Sequence, residues 1–271
     1  MSLMKKCFTV IISILLLGMF IQSCSVVPLT GRKQLNLLPE SEMVAMGLTN
    51  YTEFLKENPV SGDITNTALV RKVGGDISQA VVKYFDDNGL SSRLEGYQWE
   101  FNLVNNDTTP NAWCMPGGKV VVYSGLLPYT ADQDGLAVVI SHEIAHAVAR
   151  HGNERMSQQL VLQLGGIALN EAIREKPEET RNIFNMAYGI GSQVGVMLPY
   201  SREHELEADK LGLIFMAMAG YDPQTAIAFW ERMAASGGNK PPEFLSTHPS
   251  DATRIARIKD SMPEALKYYN Y

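Results

Sequence analysis

The chain has 271 residues, 45% hydrophobic and 19% charged, with a formal net charge of −6. That length supports one sizeable core, and the composition argues against intrinsic disorder. The acidic balance excludes a nucleic-acid partner and attachment to anionic lipid through a basic patch. Three cysteines are too few for a disulfide framework.

Lys5 and Lys6 precede an apolar run from Phe8 to Ile21 that only Thr9, Ser13 and Gly18 interrupt. The run is short for a membrane span, which needs about 20 residues. Its layout is that of a secretory signal. Ile21-Gln22-Ser23-Cys24 resembles a bacterial lipoprotein cleavage site, with Cys24 as the acylated residue. Losing residues 1–23 removes two lysines and no acids, taking the net charge from −6 to −8. Membrane attachment is then expected through acyl chains, each buried methylene contributing about 0.8 kcal/mol. Ser25 after the cysteine, with no Asp, favours the outer membrane. The expected location is the bacterial cell envelope, lipid-anchored and facing the periplasm. The expected division is a signal peptide over 1–23, a lipidated tether over 24–40 and one domain over 41–271.

Val26 to Pro39 reads as an extended tether, with two prolines and Thr30-Gly31-Arg32-Lys33. Ser41 caps a helix to about Glu57, which Asn58-Pro59 ends. A second helix is expected from Asp63 to Asp87, its apolar face carrying Val73, Ile77, Val81 and Phe85. Gly74-Gly75 argues against that helix. Trp99, Phe101 and Leu103 alternate with polar residues as a half-buried strand, and Lys119 to Tyr123 forms another. Between them, Asn111 to Gly118 fits an edge strand and turn. Such an edge could receive an extended polypeptide by strand addition, or be an ordinary hairpin. Gly125-Leu126-Leu127 leads into a short helix. After His151 the chain is helical to a charged break over 171–181, then apolar over 182–198. A further helix starts at Pro199 and stops at Gly220. Asp222-Pro223 caps another, running to about Ala235. A loop over 236–242 precedes a last helix capped by Ser250.

The chemistry sits between Leu136 and His151. His142-Glu143-Ile144-Ala145-His146 is a His-Glu-x-x-His motif within an apolar run free of Pro and Gly, hence on a buried helix. Residues four apart share a helix face, so both imidazoles can reach one zinc ion. Glu143, about 100° around, borders the metal and can take a proton from an attacking water. Two unrelated histidines on a core helix are the bland alternative. It would bury ionisable groups without partners.

Zinc needs a third protein ligand. The metzincin pattern is absent, because Ala149 and Gly152 stand where it requires Gly and His. Glu203, Glu205, Glu207 and Asp209 all compete on spacing. Glu205 and Asp209 share a face, so one can bind metal while the other orients a histidine. His151, nine positions from His142, should face away, and His204 should point elsewhere. Cys114 reads as a small buried hydrophobe.

His142 to His146, then Ser201-Arg202 through Glu205-x-x-Ala208-Asp209, then His248-Pro249-Ser250 with Arg254, resembles metallopeptidase family forty-eight. This is the family of the HtpX membrane proteases and the CAAX prenyl endopeptidases. Asn111-Ala112 before Pro116-Gly117-Gly118, and Thr30-Gly31-Arg32, are similar too. The likeness is greatest to short LoiP-like lipoprotein members that lack tetratricopeptide repeats. The resemblance implies an α+β, mostly α, gluzincin-type fold with a small sheet beside the motif helix. It implies one zinc ion per chain on His142, His146 and Glu205, with Asp209 holding a ligand histidine. Glu143 would be general base and then acid. His248 would donate to the oxyanion or cap zinc at rest, supported by Arg254. Asn111 and Ala112 would contact substrate backbone. The implied activity is an endopeptidase acting on unfolded or misassembled envelope proteins. The alternative is an assembly factor or holdase working with the outer-membrane assembly machinery.

Overall fold

The computed structural model describes residues 24–192, 197–235, 244, 248 and 252–269. The expected signal peptide, the loop over 236–242 and the Ser250 cap lie outside them. The fold is mostly helical with small sheets. The chain divides into two compact units, Ser41–His151 with Pro199–Tyr271, and Met1–Glu40 with Gly152–Leu198.

The larger unit begins with α1 (Glu40–Glu57) and α2 (Ile64–Asp87). Asp63 caps α2, its carboxylate accepting from the Asn66 N–H at 3.0 Å. Val70, Val73, Ile77, Val81 and Phe85 recur three or four residues apart and are fully buried, which is the stripe a core-facing helix needs. The helix runs straight through Gly74-Gly75. A side chain at 74 would strike the Phe101 ring, whereas position 75 faces open space. Gly74 is therefore a packing residue rather than a break.

The sheet has the order β3-β5-β4, from β3 (Glu100–Val104), β4 (Ala112–Met115) and β5 (Lys119–Tyr123). β3 runs parallel to β5, with Phe101 opposite Val120. β4 returns antiparallel on the other side, with Trp113 opposite Val121. Val120, Val121 and Val122 are fully buried in the central strand. Gly117 and Gly118 both hold positive φ in the turn between β4 and β5, a conformation glycine adopts at no steric cost. Trp113 packs edge-on against Phe54 and Tyr51 of α1, tying that helix to the sheet.

A short helix α3 (Leu127–Thr130) leads to α4 (Gln133–Val148). Asp132 caps α4, accepting from the Gly135 N–H at 2.8 Å. Nearly every α4 residue from Gly135 to Val148 is buried, so this helix has no solvent face and lies at the centre of its unit. It ends because Arg150 takes φ 61; this left-handed residue stops one helix and lets α5 (His151–Ala172) begin. α7 (Leu198–Met218) packs close to α4 at Gly212, where a Cβ would lie 3.0 Å from the His142 backbone nitrogen. α8 (Thr225–Ala235) presents buried Phe229 and Trp230, and α9 (Ala252–Ala265) packs beside it.

In the smaller unit, the segment expected to be extended pairs with itself. β1 (Cys24–Val26) and β2 (Lys33–Leu35) are antiparallel, with Cys24 opposite Leu35. Arg32 then grips Glu154 of α5 through two hydrogen bonds of 2.9 and 2.7 Å. The Leu37 N–H donates to Ser157 at 2.8 Å, and Asn153 donates to the Leu38 carbonyl at 2.8 Å. α6 (Glu178–Ser192) starts inside the charged break expected over 171–181, its Tyr188 hydroxyl donating to the Leu162 carbonyl at 2.7 Å.

Candidate metal centre

The i, i+4 spacing does what helical geometry requires: His142 Nε2 and His146 Nε2 stand 3.1 Å apart on one face of α4. α7 delivers Glu205, whose Oε2 lies 3.4 Å from His142 Nε2 and whose Oε1 lies 3.3 Å from His146 Nε2. His248 completes the group, its Nδ1 lying 2.8 Å from Glu205 Oε2 and 3.1 Å from His142 Nε2. One ligand atom from each of the four falls within 4.8 Å of the others. A tetrahedral zinc with bonds of about 2.0–2.1 Å sets its ligand atoms about 3.3 Å apart. The separations bracket that value, and the nitrogen and carboxylate donors suit zinc.

The group's surroundings fix which nitrogen is bare. His142 Nδ1 lies 3.0 Å from Asp209 Oδ1. A proton there leaves Nε2 as a lone pair aimed into the group. Asp209 is itself held by Arg254 through two hydrogen bonds of 2.7 Å. The Arg254 guanidinium lies 3.5 Å above the Trp230 ring and reaches Glu205 Oε2 at 3.4 Å. Burial opposes the charge on Glu205, yet the imidazoles of His146, His142 and His248 hold its carboxyl far below the usual range. Burial likewise opposes charge on Asp209, and Arg254 with His142 pulls its carboxyl down. For His142, burial disfavours the cation, while Asp209 and Glu205 raise its pKa to about 9. Two carboxylates therefore draw positive charge into a closed space, which a divalent cation supplies more compactly than protons.

Glu143 behaves differently. Burial pushes its carboxyl up, with His248 and His142 countering part of the shift. Its Oε1 is buried and makes no hydrogen bond among the described residues, although His248 Nε2 is 3.3 Å away. An orphaned carboxylate oxygen beside a converging donor set is where a proton acceptor for a reacting water belongs.

Of the four acids that competed on spacing, Glu205 enters the group, Asp209 supports His142, Glu207 turns to His151 and Glu203 is exposed. Arg254 meets Asp209 and Glu205 and so acts through them. Asn111 and Ala112 sit at the start of β4. The Asn111 side chain accepts from the Ala112 N–H at 2.9 Å, and the Asn111 carbonyl accepts from the Tyr123 N–H. The thiol of Cys114 in β4 is pushed up by burial and by the charge of Glu143, which places this strand beside Glu143. Cys24 lies in β1, in the smaller unit.

The expectation for His151 fails, whereas His204 is not among the donors. His151 Nδ1 is 2.8 Å from His146 Nδ1, and His151 Nε2 is 3.0 Å from Glu207 Oε2. His204 stacks on His151 with ring centres 4.3 Å apart and planes 10° from parallel. The nine-residue spacing assumed one continuous helix. The break at Arg150 swings His151 back toward the motif. No periodic signal marks such a break, and Arg is not a usual left-handed residue.

Residues 75–262 match the model of peptidase family M48. The chain is 38% identical over 193 residues to the mitochondrial metalloendopeptidase OMA1 of Saccharomyces cerevisiae, covering 69% of this chain and 53% of that protein. The human mitochondrial metalloendopeptidase OMA1 is 29% identical over 248 residues, 89% of this chain and 46% of that protein. The β-barrel assembly-enhancing protease of Escherichia coli is 32% identical over 191 residues, 64% of this chain and 37% of that protein. The chain thus spans about half the length of the mitochondrial relatives. These relatives correct the expected location. Placement in a bacterial cell envelope, lipid-anchored and facing the periplasm, is overturned by the higher similarity to proteins named as mitochondrial. Among the described residues no helix is long and apolar enough to cross a membrane. With the family match covering most of the chain and four donors gathered that could hold a metal ion, the chain belongs to peptidase family M48.

Proposed function

We propose that this domain is a zinc-dependent endopeptidase that cuts unfolded or misassembled polypeptide. His142, His146 and Glu205 hold one zinc ion, and Glu143 is the proton carrier. The observation that carries the reading is the buried Glu143 Oε1 with no hydrogen bond, at the rim of the His142–His146–Glu205 group.

Zinc so held supplies Lewis acidity, making a nearby water acidic and a peptide carbonyl electrophilic. Glu143 takes the proton of the attacking water as the new C–O bond forms. It then delivers that proton to the amide nitrogen as the C–N bond breaks, so the carboxylate is regenerated. Its raised carboxyl matches a group that must both accept and release a proton. β4 is the sheet edge nearest the base, and an extended segment can lie along it. Pairing the Ala112 N–H with a substrate carbonyl would require the Asn111 side chain to let go of it.

With His142, His146 and Glu205 holding the metal, His248 would be the fourth donor, in the place a catalytic zinc would otherwise leave for water. Such an arrangement would be a resting one, and substrate entry would displace His248, whose imidazole would then be free to donate to the developing oxyanion.

The test is digestion of unfolded casein by the purified protein, with zinc content measured in parallel. Glu143→Gln should retain about one zinc per chain and lose at least 10²-fold in cleavage, the scale typical of removing a general base. Cleavage by Glu143→Gln at the wild-type rate would sink the assignment of the base. Cleavage that survives complete removal of zinc by a chelator would sink the metal mechanism.

A further inference from the structure

We infer that Glu207 and His151 are positioning residues for the ligand His146, setting which of its ring nitrogens carries the proton. The inference rests on the zinc reading above and extends it to residues outside the donor set.

The geometry forms a line. Glu207 Oε2 is 3.0 Å from His151 Nε2, and His151 Nδ1 is 2.8 Å from His146 Nδ1. A carboxylate only accepts, so His151 Nε2 carries a proton toward Glu207. A neutral imidazole then has a bare Nδ1, which accepts from His146 Nδ1–H. His146 Nε2 is left as a lone pair directed at the donor group, 3.1 Å from His142 Nε2. Reverse any proton and the line fails. A proton on His151 Nδ1 would face His146 Nδ1 and drive the His146 proton onto Nε2, where it blocks metal.

The two ligand histidines are therefore oriented in the same way at different length. His142 donates directly to Asp209, and His146 donates through one interposed imidazole to Glu207. Both acids come from the same stretch of α7, and Glu205, which precedes them there, goes to the metal group. His204, from the turn of α7 that carries Glu207, stacks on His151 at 4.3 Å and holds its ring plane. Asp209, His151, His204 and Glu207 are all buried. Polar groups in that position are kept by the hydrogen bonds they make.

The experiment measures the zinc dissociation constant of the full chain by competition with a chromogenic chelator, together with the visible spectrum of the cobalt-substituted protein. His151→Phe removes the acceptor for His146 and should weaken zinc binding about 10–100-fold with an altered cobalt spectrum. His151→Gln keeps an amide oxygen that can accept from His146 Nδ1 and should recover most of that loss. Glu207→Met removes the acceptor for His151 Nε2 and should weaken zinc, whereas Glu207→Gln keeps an amide oxygen that can accept there and should recover most of that loss. Should His151→Phe not fold, Glu207→Met against Glu207→Gln decides. Zinc affinity of Glu207→Met within about twofold of wild type, or His151→Gln no better than His151→Phe, would overturn the inference. Failure of the wild type to bind zinc, or undiminished binding by His142→Ala, would instead overturn the metal reading itself.

Discussion

His142 and His146 are each held by a partner outside the motif, Asp209 and His151. The pair His142 and His146 was legible because four residues is one helical turn, and the apolar run around them guaranteed burial of that turn. Choosing among Glu203, Glu205, Glu207 and Asp209 was not possible by spacing, because the choice depends on how α7 rotates against α4. The rotation is set by the close approach at Gly212 and by Arg254, which lies buried between Asp209, Glu205 and Trp230. Removing one partner of such a buried pair leaves the other charged and desolvated. Arg254→Met should cost about 3–5 kcal/mol in urea unfolding of the metal-free protein. Adding Asp209→Asn to that variant should restore part of the loss. A cost below about 1 kcal/mol would show the pair to be solvated, as exposed pairs are.

At the scale of elements, the helices were readable from period and caps, and the pairing of strands was not. The Asp63 and Asp132 caps and the stripe on α2 are local features, each fixed within a few residues. The parallel contact of β3 with β5, with β4 flanking, depends on α4 and α2 covering the sheet and has no signature in the strands themselves. The double glycine that argued against α2 turns out to separate two roles. Gly74 makes room for Phe101, and Gly75 faces open space. Gly74→Ala should therefore destabilise by about 1–3 kcal/mol through overpacking. Gly75→Ala should stabilise by about 0.5–1 kcal/mol through helix propensity. Equal effects at the two positions in thermal unfolding would contradict the packing of α2 on β3.

At the scale of the whole chain, long-range polar contacts decide what composition could not. Residues 24–40 read as an extended tether because Pro and Gly are frequent there, yet Arg32 reaches Glu154, which is 122 positions away. In the larger unit, Tyr221 beyond α7 donates to Asp76 of α2 at 2.6 Å. Burial and Asp76 push the Tyr221 phenol up to about 12, against about 10 in an unfolded chain. The folded state then holds the proton more tightly. That contribution to stability is present below pH 10 and is lost as pH rises toward 12. The thermal midpoint of Tyr221→Phe should consequently fall less steeply than that of the wild type between pH 10 and 12. Parallel slopes would remove Tyr221 from the account. The address failed for a different reason: a basic and apolar leader before Cys24 is a local pattern, whereas the similarity over most of the chain is to proteins named as mitochondrial.

The central claim is that one zinc ion is shared by His142 and His146 of α4 and Glu205 of α7. X-ray absorption at the zinc edge of the purified protein tests it most directly. The account predicts a first shell of nitrogen and oxygen at about 2.0–2.1 Å with imidazole scattering beyond it, and loss of stoichiometric zinc in Glu205→Ala. A shell without imidazole, or full zinc occupancy in Glu205→Ala with an unchanged spectrum, would contradict it.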